Sequence, residues 1–492
     1  MELVRSFPLV IVLLLLLTAF IMPMIKKIGF IKKLSVISMG ISACLSAMLL
    51  YNFQFIGEYR YKVGHFSAPW GIELKIGAFE AFIGLLFTFI AFLILWASIY
   101  GIDHDVKEKR VPLFYTLCNL LIASLLGIVY SNDIFNCFVF IEISSIASCG
   151  IVVVKDKKEN LKAAMKYLIL SCLGSGLVLM GIAFLYSITG NLGMDFIREE
   201  LFKVQGNYRN TIQISLGLFT AGLGVKSAIF PMHIWLPDAH TSAPSASSAI
   251  LSSLVLKAYI VLYIKVLYRV FGMEIIKTLP ILNIVLILGI SGMLIGSVLA
   301  FFQKDIKRMI AYSSVAQIGY IFMGIGMGTI PGLIAAVFHI LCHAFTKAAL
   351  FLVSGSIIEM TDNRDISNMK GIGIEMPVTL GIFIVSAFSM IGIPLFAGFN
   401  SKWNFAIAII DADKLFLIVV LLISSLLNAM YYLPIIINAF FGDENLKGKV
   451  FNSKERPLKA LVPMLLLSLA VIYFGLASKG VLNIINTGIT NL

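Results

Sequence analysis

Residues 222–245 read GLGVKSAIFPMHIWLPDAHTSAPS, and they decide the fold. They close an apolar run, Ile212–Phe230, that is long enough to cross a bilayer, yet the run contains Lys226 and leads into Pro231 and Pro237. Each proline lacks an amide hydrogen and clashes with the carbonyl four residues back, so a helix here must kink or unwind. Backbone groups freed inside a membrane are tolerated only where they line a cavity or are buried in protein. A charge at bilayer depth likewise persists only toward the protein interior or a water-filled path. The pattern recurs at residues 392–403, GIPLFAGFNSKW, where Gly392, Pro394 and Gly398 precede Lys402. Broken helices in both halves of a chain are a strong sequence pointer to an ion or substrate site.

The background makes these charges conspicuous. The chain is 59% hydrophobic and 13% charged over 492 residues, with a mean hydropathy of +0.97. One soluble core cannot hide that much apolar surface, so lipid must cover it. Spanning runs are Pro8–Met24, Leu34–Phe53, Ala78–Tyr100, Pro112–Tyr130, Ile134–Val154, Met165–Thr189, Ile212–Phe230 and Ala246–Phe271. Leu279–Phe302, Met309–Gly328, Leu333–Ile358, Pro377–Ile410, Leu415–Phe441 and Leu461–Ile485 follow. The expectation is an all-α polytopic membrane protein of about fourteen helices, with no readable strand.

The first run lacks a strongly basic leader, and Lys26–Lys33 follows it as an anchor, so it reads as a retained helix rather than a cleaved signal. Basic clusters follow helices 1 (Lys26, Lys27, Lys32, Lys33), 3 (Lys107, Lys109, Arg110) and 5 (Lys155, Lys157, Lys158). Others follow helices 9 (Lys304, Lys307, Arg308) and 13 (Lys447, Lys449, Lys454, Arg456, Lys459). The positive-inside rule then puts both termini outside the cytoplasm, in the cell membrane. The same scatter of positives explains the net charge of +12 without nucleic-acid binding. The six cysteines lie within apolar runs without CxxC spacing, so no metal, iron–sulfur cluster or other cofactor is expected.

Five stretches carry a resemblance: FIEISSIAS (140–148, with Glu142), the 222–245 segment, SSLVLKAYIVLY (252–263, with Lys257), VFHILCHAFTKAALFLVSG (337–355) and GIPLFAGFNSKW. In order and spacing, from about Phe66 to Lys402, the chain resembles the antiporter-like subunits of respiratory complex I, Mrp sodium/proton antiporters and membrane-bound hydrogenases. Its length, and a lysine rather than glutamate in the helix-12 break, look most like the D subunit of Mrp antiporters and its hydrogenase homologues. The resemblance implies two inverted five-helix repeats with helices 7 and 12 broken. Residues 1–110 would hold helices 1–3, 111–271 the first repeat, 272–441 the second, and 442–492 helix 14 and the tail. It implies partners too: other membrane subunits, lipid, protons and Na+.

Within that frame Glu142 and Lys226 form a switchable ion pair. Desolvation favours the neutral lysine and the carboxylate favours the charged one, so opening the pair releases a proton. Lys257 is the central relay. His339, His343 and Lys347 recur at i, i+4 and i+8 on one stripe of helix 11 and carry the proton on. Lys402 is the far terminus, and Asp238 with His240, after the helix-7 break, either forms an entrance or caps helix ends. Lys265 is read as snorkelling at a helix end, and Asp133 and Lys166 as solvated. A redox-linked pump subunit would use the same file of residues. A polytopic lipid or quinone enzyme would instead gather its charges near one interface.

Overall fold

A computed structural model describes residues 2–440 and 455–492. Among the described residues, twelve helices are long and apolar enough to cross a membrane. Helices 1–6 span Phe7–Met24, Ile28–Ile56, Ala78–Asp105, Glu108–Tyr130, Ile134–Val153 and Lys158–Thr189. Helices 8–11 are Ser245–Lys277, Ile281–Phe301, Ile306–Gly326 and Ile330–Thr361, with Phe416–Phe440 and Leu458–Leu476 as helices 13 and 14. Helices 7 and 12 make up the fourteen, and both are interrupted. Helix 7 runs Arg209–Ser227 and resumes as Leu236–Ser242. Helix 12 runs Pro377–Ile391 and resumes as Ala397–Asp411.

The two breaks are built differently. After Ser227 the chain turns through Ala228 in the left-handed region (φ 56°), and the indole Nε1 of Trp235 donates back to the Val225 carbonyl at 2.9 Å. Pro237 sits in the first turn of the resumed segment, where a missing amide hydrogen costs nothing, so it starts a helix rather than kinking one. Helix 12 instead ends at Gly392, whose φ of 94° suits a residue without a Cβ, and Pro394 lies in the link that follows.

Several expectations are corrected. A two-stranded antiparallel sheet, β1 (Tyr59–Lys62) and β2 (Glu73–Ile76), lies between helices 2 and 3. Helix 2 starts at Ile28, so Lys32 belongs to it, buried and bound to Asp103 at 2.6 Å rather than free in a loop. Lys155 and Lys307 are buried as well. Helix 14 stops at Leu476, and Lys479–Thr490 forms a separate amphipathic helix. Lys447, Lys449 and Lys454 lie outside the described residues.

Helices 8 and 11 are surrounded by protein over most of their length, whereas helices 1 and 13 expose Leu17, Phe20, Leu422 and Leu426 as a lipid-facing belt. Backbones approach closely where glycines face each other. A Cβ on Gly319 of helix 10 would lie 2.5 Å from the Met293 amide nitrogen and 2.6 Å from the Gly289 carbonyl oxygen of helix 9. Small residues permit such contact, and van der Waals packing drives helix association in lipid. Gly319→Ala should therefore cost about 1–3 kcal/mol through overpacking. Thermal unfolding of the purified protein in detergent checks this, with Gly176→Ala, which meets open space, as the control.

Candidate functional site

The helix breaks and the two buried helices enclose the charged residues in protein. Lys226, 2% exposed, donates to Ser145 Oγ of helix 5 at 2.5 Å and Ser171 Oγ of helix 6 at 2.9 Å. Its ammonium also lies 5.6 Å from the Tyr259 ring centre. Ser145 is three residues on from Glu142, which is half-buried with Oε1 unpartnered. Among the described residues no direct Glu142–Lys226 bridge is closed, and hydroxyls occupy the ammonium instead. Glu142 is the carboxylate whose charge acts on it.

Lys257 follows a wide π turn in helix 8 (Leu251–Val255) and donates to the Ser252 carbonyl. Such turns free a carbonyl and recur at functional sites. Ser252 Oγ meets Ser314 Oγ of helix 10 at 3.0 Å. Lys347 donates to the Ile310 carbonyl at 3.0 Å and to Ser313 Oγ, also on helix 10. His343, fully buried, has neither ring nitrogen bound to protein. It stacks on His339 with ring centres 6.1 Å apart and planes within 9°. His339 Nδ1 meets Ser401 Oγ at 2.8 Å, and its ring stacks on Tyr320. Lys402, next to Ser401, lies 5.3 Å from the Tyr320 ring centre. It donates to the Met390 and Ile391 carbonyls at 3.0 and 2.7 Å, and to Ser425 Oγ at 2.8 Å. A cation thus sits on the open carbonyl end of the first half of helix 12, where the helix dipole favours it.

Of the expected residues, His343, His339 and Lys402 follow one another through ring stacking and the Tyr320 ring, Lys347 reaches Ser313 of helix 10, Ser252 beside Lys257 meets Ser314 of the same helix, and Lys226 lies over the Tyr259 ring. Asp238 and His240 part company. Asp238 is tied by Lys166 at 2.7 Å and Arg308 at 3.3 Å, whereas His240 is fully buried against Phe351. Lys166 is therefore paired rather than free, and Asp133 caps helix 5 by accepting from the Asn136 amide at 2.6 Å. The supporting hydroxyls of Ser145, Ser171, Ser313 and Ser401 are not legible in the sequence, because serines are common inside such helices and carry no spacing signal. Among the described residues no cluster suited to holding a metal occurs.

Lys265 is the clearest correction. Helix 8 leaves helical geometry at Gly272 (φ 75°), so Lys265 does lie near its end, yet it is wholly buried rather than snorkelling. Its ammonium donates to the carbonyls of Ile128 (3.3 Å), Val129 (2.9 Å) and Ser131 (2.6 Å), capping the end of helix 4. Nearby, Arg269 pairs with Glu80 at 2.8 Å, both buried. These groups hold helices 3, 4 and 8 together. Lys265→Met should cost about 1–3 kcal/mol, since it strands buried carbonyls. Lys257→Met should instead leave the melting temperature nearly unchanged and stop ion flux. Parallel melting and flux assays on the two variants separate the roles.

Comparison with known proteins bears on the fold and the family. The family described as "NADH:quinone oxidoreductase/Mrp antiporter, TM" matches residues 131–428. The N subunit of the NADH-quinone oxidoreductase of Desulforudis audaxviator (strain MP104C) is 34% identical, the match covering 86% of each chain. The D subunit of the Na(+)/H(+) antiporter of Alkalihalophilus pseudofirmus is 30% identical, over 85% of this chain and 83% of its own. A chain of the membrane-bound sulfane sulfur reductase, an archaeal respiratory membrane complex, superposes with a TM-score of 0.89 at 28% identity, covering 98% of this chain and 97% of that one. A chain of the Mrp complex from Dietzia sp. DQ12-45-1b gives a TM-score of 0.90 at 22% identity, over 100% and 98% of the two chains, a likeness of fold. With two broken helices and a file of buried lysines and histidines in the matched region, the chain belongs to the NADH:quinone oxidoreductase/Mrp antiporter family of membrane subunits.

Proposed function

We propose that this subunit moves protons along Glu142, Lys226, Lys257, Lys347, His343, His339 and Lys402, driven by or driving cation movement in partner membrane subunits. As a family member it is a multi-pass, ion-translocating subunit of a larger complex. The observation that carries the proposal is the nature of the lysines' partners. Among the described residues, Lys226, Lys257, Lys347 and Lys402 donate only to hydroxyls and backbone carbonyls, with no carboxylate within bonding distance. A buried lysine locked to a carboxylate stays charged, whereas one held by neutral oxygens can give up its proton and leave no orphaned anion. The unpartnered nitrogens of His343 and Nε2 of His339 call for water, which bridges the group.

In this account residues 111–271 and 272–441 act as the two repeats, flanked by 1–110 and 442–492. The protein lies in the cytoplasmic membrane with both termini outside, and Na+ is the exchanged cation as in an Mrp-type antiporter. A redox-linked pump is the second reading, favoured by the 34% identity to the NADH-quinone oxidoreductase relative. Co-purifying subunits separate the two.

Glu142→Ala and Lys226→Ala should each abolish ion-coupled activity with assembly intact. Lys226→Arg should fail as well, because arginine holds its proton at neutral pH. Wild-type transport by Lys226→Arg in proteoliposomes would rule out proton release at this position. Lys402→Ala should stop net flux yet leave the Glu142–Lys226 titration unmoved, as followed by infrared difference spectroscopy of the carboxyl group. A shift of that titration would show the two sites to be directly coupled.

A further inference from the structure

Between helices 2 and 3 the outer surface carries a groove of about 250 Å³, lined by Lys33, Val36, Ile37, Phe92, Trp96 and Ile99. The helices run antiparallel there. A Cβ on Gly40 would lie 3.3 Å from the Phe92 ring, whereas Lys32 reaches the Ile99 carbonyl at 3.3 Å and Asp103 at 2.6 Å. The groove therefore rises from Phe92, halfway along helix 3, to Lys33 in the second turn of helix 2. Phe92 and Ile99 are seven residues apart, about 10 Å of helix. Lys33 is the single charged residue of the lining, and a site so poor in polar groups holds no ordered water. Facing a bilayer, it is filled by hydrocarbon.

Two neighbouring lysines differ at its upper end. Lys32 is buried and spent on Asp103. Lys33 is exposed, and among the described residues it has neither a hydrogen bond nor an ion pair. Lys26 and Lys27, in the link before helix 2, are likewise exposed and unpaired. With Asp103 already taken, the groove opens under unbalanced positive charge. Trp96 lies one turn further in, half-buried, its ring centre 5.7 Å from that of Phe92. Its indole N–H has no acceptor among the described residues. An indole with one apolar side and a free donor belongs at the boundary between acyl chains and headgroups.

We propose that this groove binds one anionic phospholipid of the surrounding bilayer. One acyl chain lies along Val36, Ile37, Phe92 and Ile99, an ester carbonyl accepts from Trp96 Nε1, and the phosphate sits on Lys33. Charge selects the occupant. An apolar helix of a partner subunit would fill the groove but leave the ammonium unmet. A zwitterionic lipid brings its own cation to compete with Lys33, and an anionic one does not. Lys33 keeps its stem on the apolar wall and its charge at the headgroup level, as lysines near helix ends do.

The test places the whole complex in nanodiscs of phosphatidylethanolamine, doped with phosphatidylglycerol or phosphatidylcholine brominated on the acyl chains. Bromine quenches nearby indoles, and the difference between wild type and Trp96→Phe isolates Trp96 from Trp70, Trp235, Trp403 and the partner subunits. Brominated phosphatidylglycerol should half-quench Trp96 at a mole fraction about fivefold lower than brominated phosphatidylcholine, the preference one lysine confers on an anionic headgroup. Lys33→Gln breaks no bond within the protein. It should erase the preference while both lipids still quench, because the apolar groove remains. Equal quenching by the two lipids in wild type reduces the groove to ordinary bilayer contact and overturns the proposal. A preference that survives Lys33→Gln overturns it too, and quenching by neither lipid shows a partner helix in the groove. Should the Trp96 signal be too small to resolve, lipid counting by mass spectrometry decides. Phosphatidylglycerol retained through detergent purification should fall by one molecule per complex in Lys33→Gln, and an unchanged count overturns the proposal.

Discussion

An ammonium group buried far from water must be met by oxygen, and this protein meets most of its buried lysines with oxygen that carries no charge. Lys265 takes three carbonyls at the end of helix 4, and Lys402 takes two at the break of helix 12. Lys307 takes one beside the break of helix 7. Unwound or terminated helices supply these acceptors, because their last carbonyls have no amide partner of their own. Breaks and lysines therefore solve each other's problem. The helix end needs a donor, the ammonium needs an acceptor, and neither is tolerated in hydrocarbon alone.

The sequence discloses this arrangement unevenly. Lys226, Lys257, Lys347 and Lys402 stand out because charge inside an apolar run is rare, and Pro231 and Pro394 mark the breaks, with Pro237 opening the segment after the first. Helix period alone puts His339, His343 and Lys347 on one stripe. What stays hidden is partnership. Ser145 and Ser171 converge on Lys226 from helices 5 and 6, and linear spacing carries no trace of that meeting. Lys265 misleads because a lysine near a helix end reads as reaching for the interface, whereas the carbonyls of Ile128, Val129 and Ser131 that enclose it leave no trace in the linear sequence. The β1–β2 pair is illegible because four-residue strands of mixed polarity lack a period that stands out.

The two halves of the chain echo each other at the level of single bonds. Ser144 of helix 5 meets the Tyr259 hydroxyl of helix 8 at 2.8 Å, and Ser313 of helix 10 meets the Tyr432 hydroxyl of helix 13 at 3.0 Å. Lys226 and Lys402 each lie over a tyrosine ring, Tyr259 and Tyr320. The halves differ where they terminate. Lys226 rests on hydroxyls and feels a nearby carboxylate, while Lys402 rests on a helix end and none of its bonded partners carries charge. The same side chain thus has two electrostatic settings at the two ends of the proposed relay.

The short segment Leu236–Ser242 belongs to the first half of the chain, yet the cations that hold it include three from the second. Lys307 donates to Ala243, just past the segment's end, Arg364 donates to the Thr241 carbonyl at 3.0 Å, and Arg308 pairs with Asp238. A fragment cut between helices 8 and 9 would leave these carbonyls bare and Asp238 with Lys166 alone. The halves are alike in plan, but they cannot be expressed as separable modules: the first would lose the grip on its own broken helix.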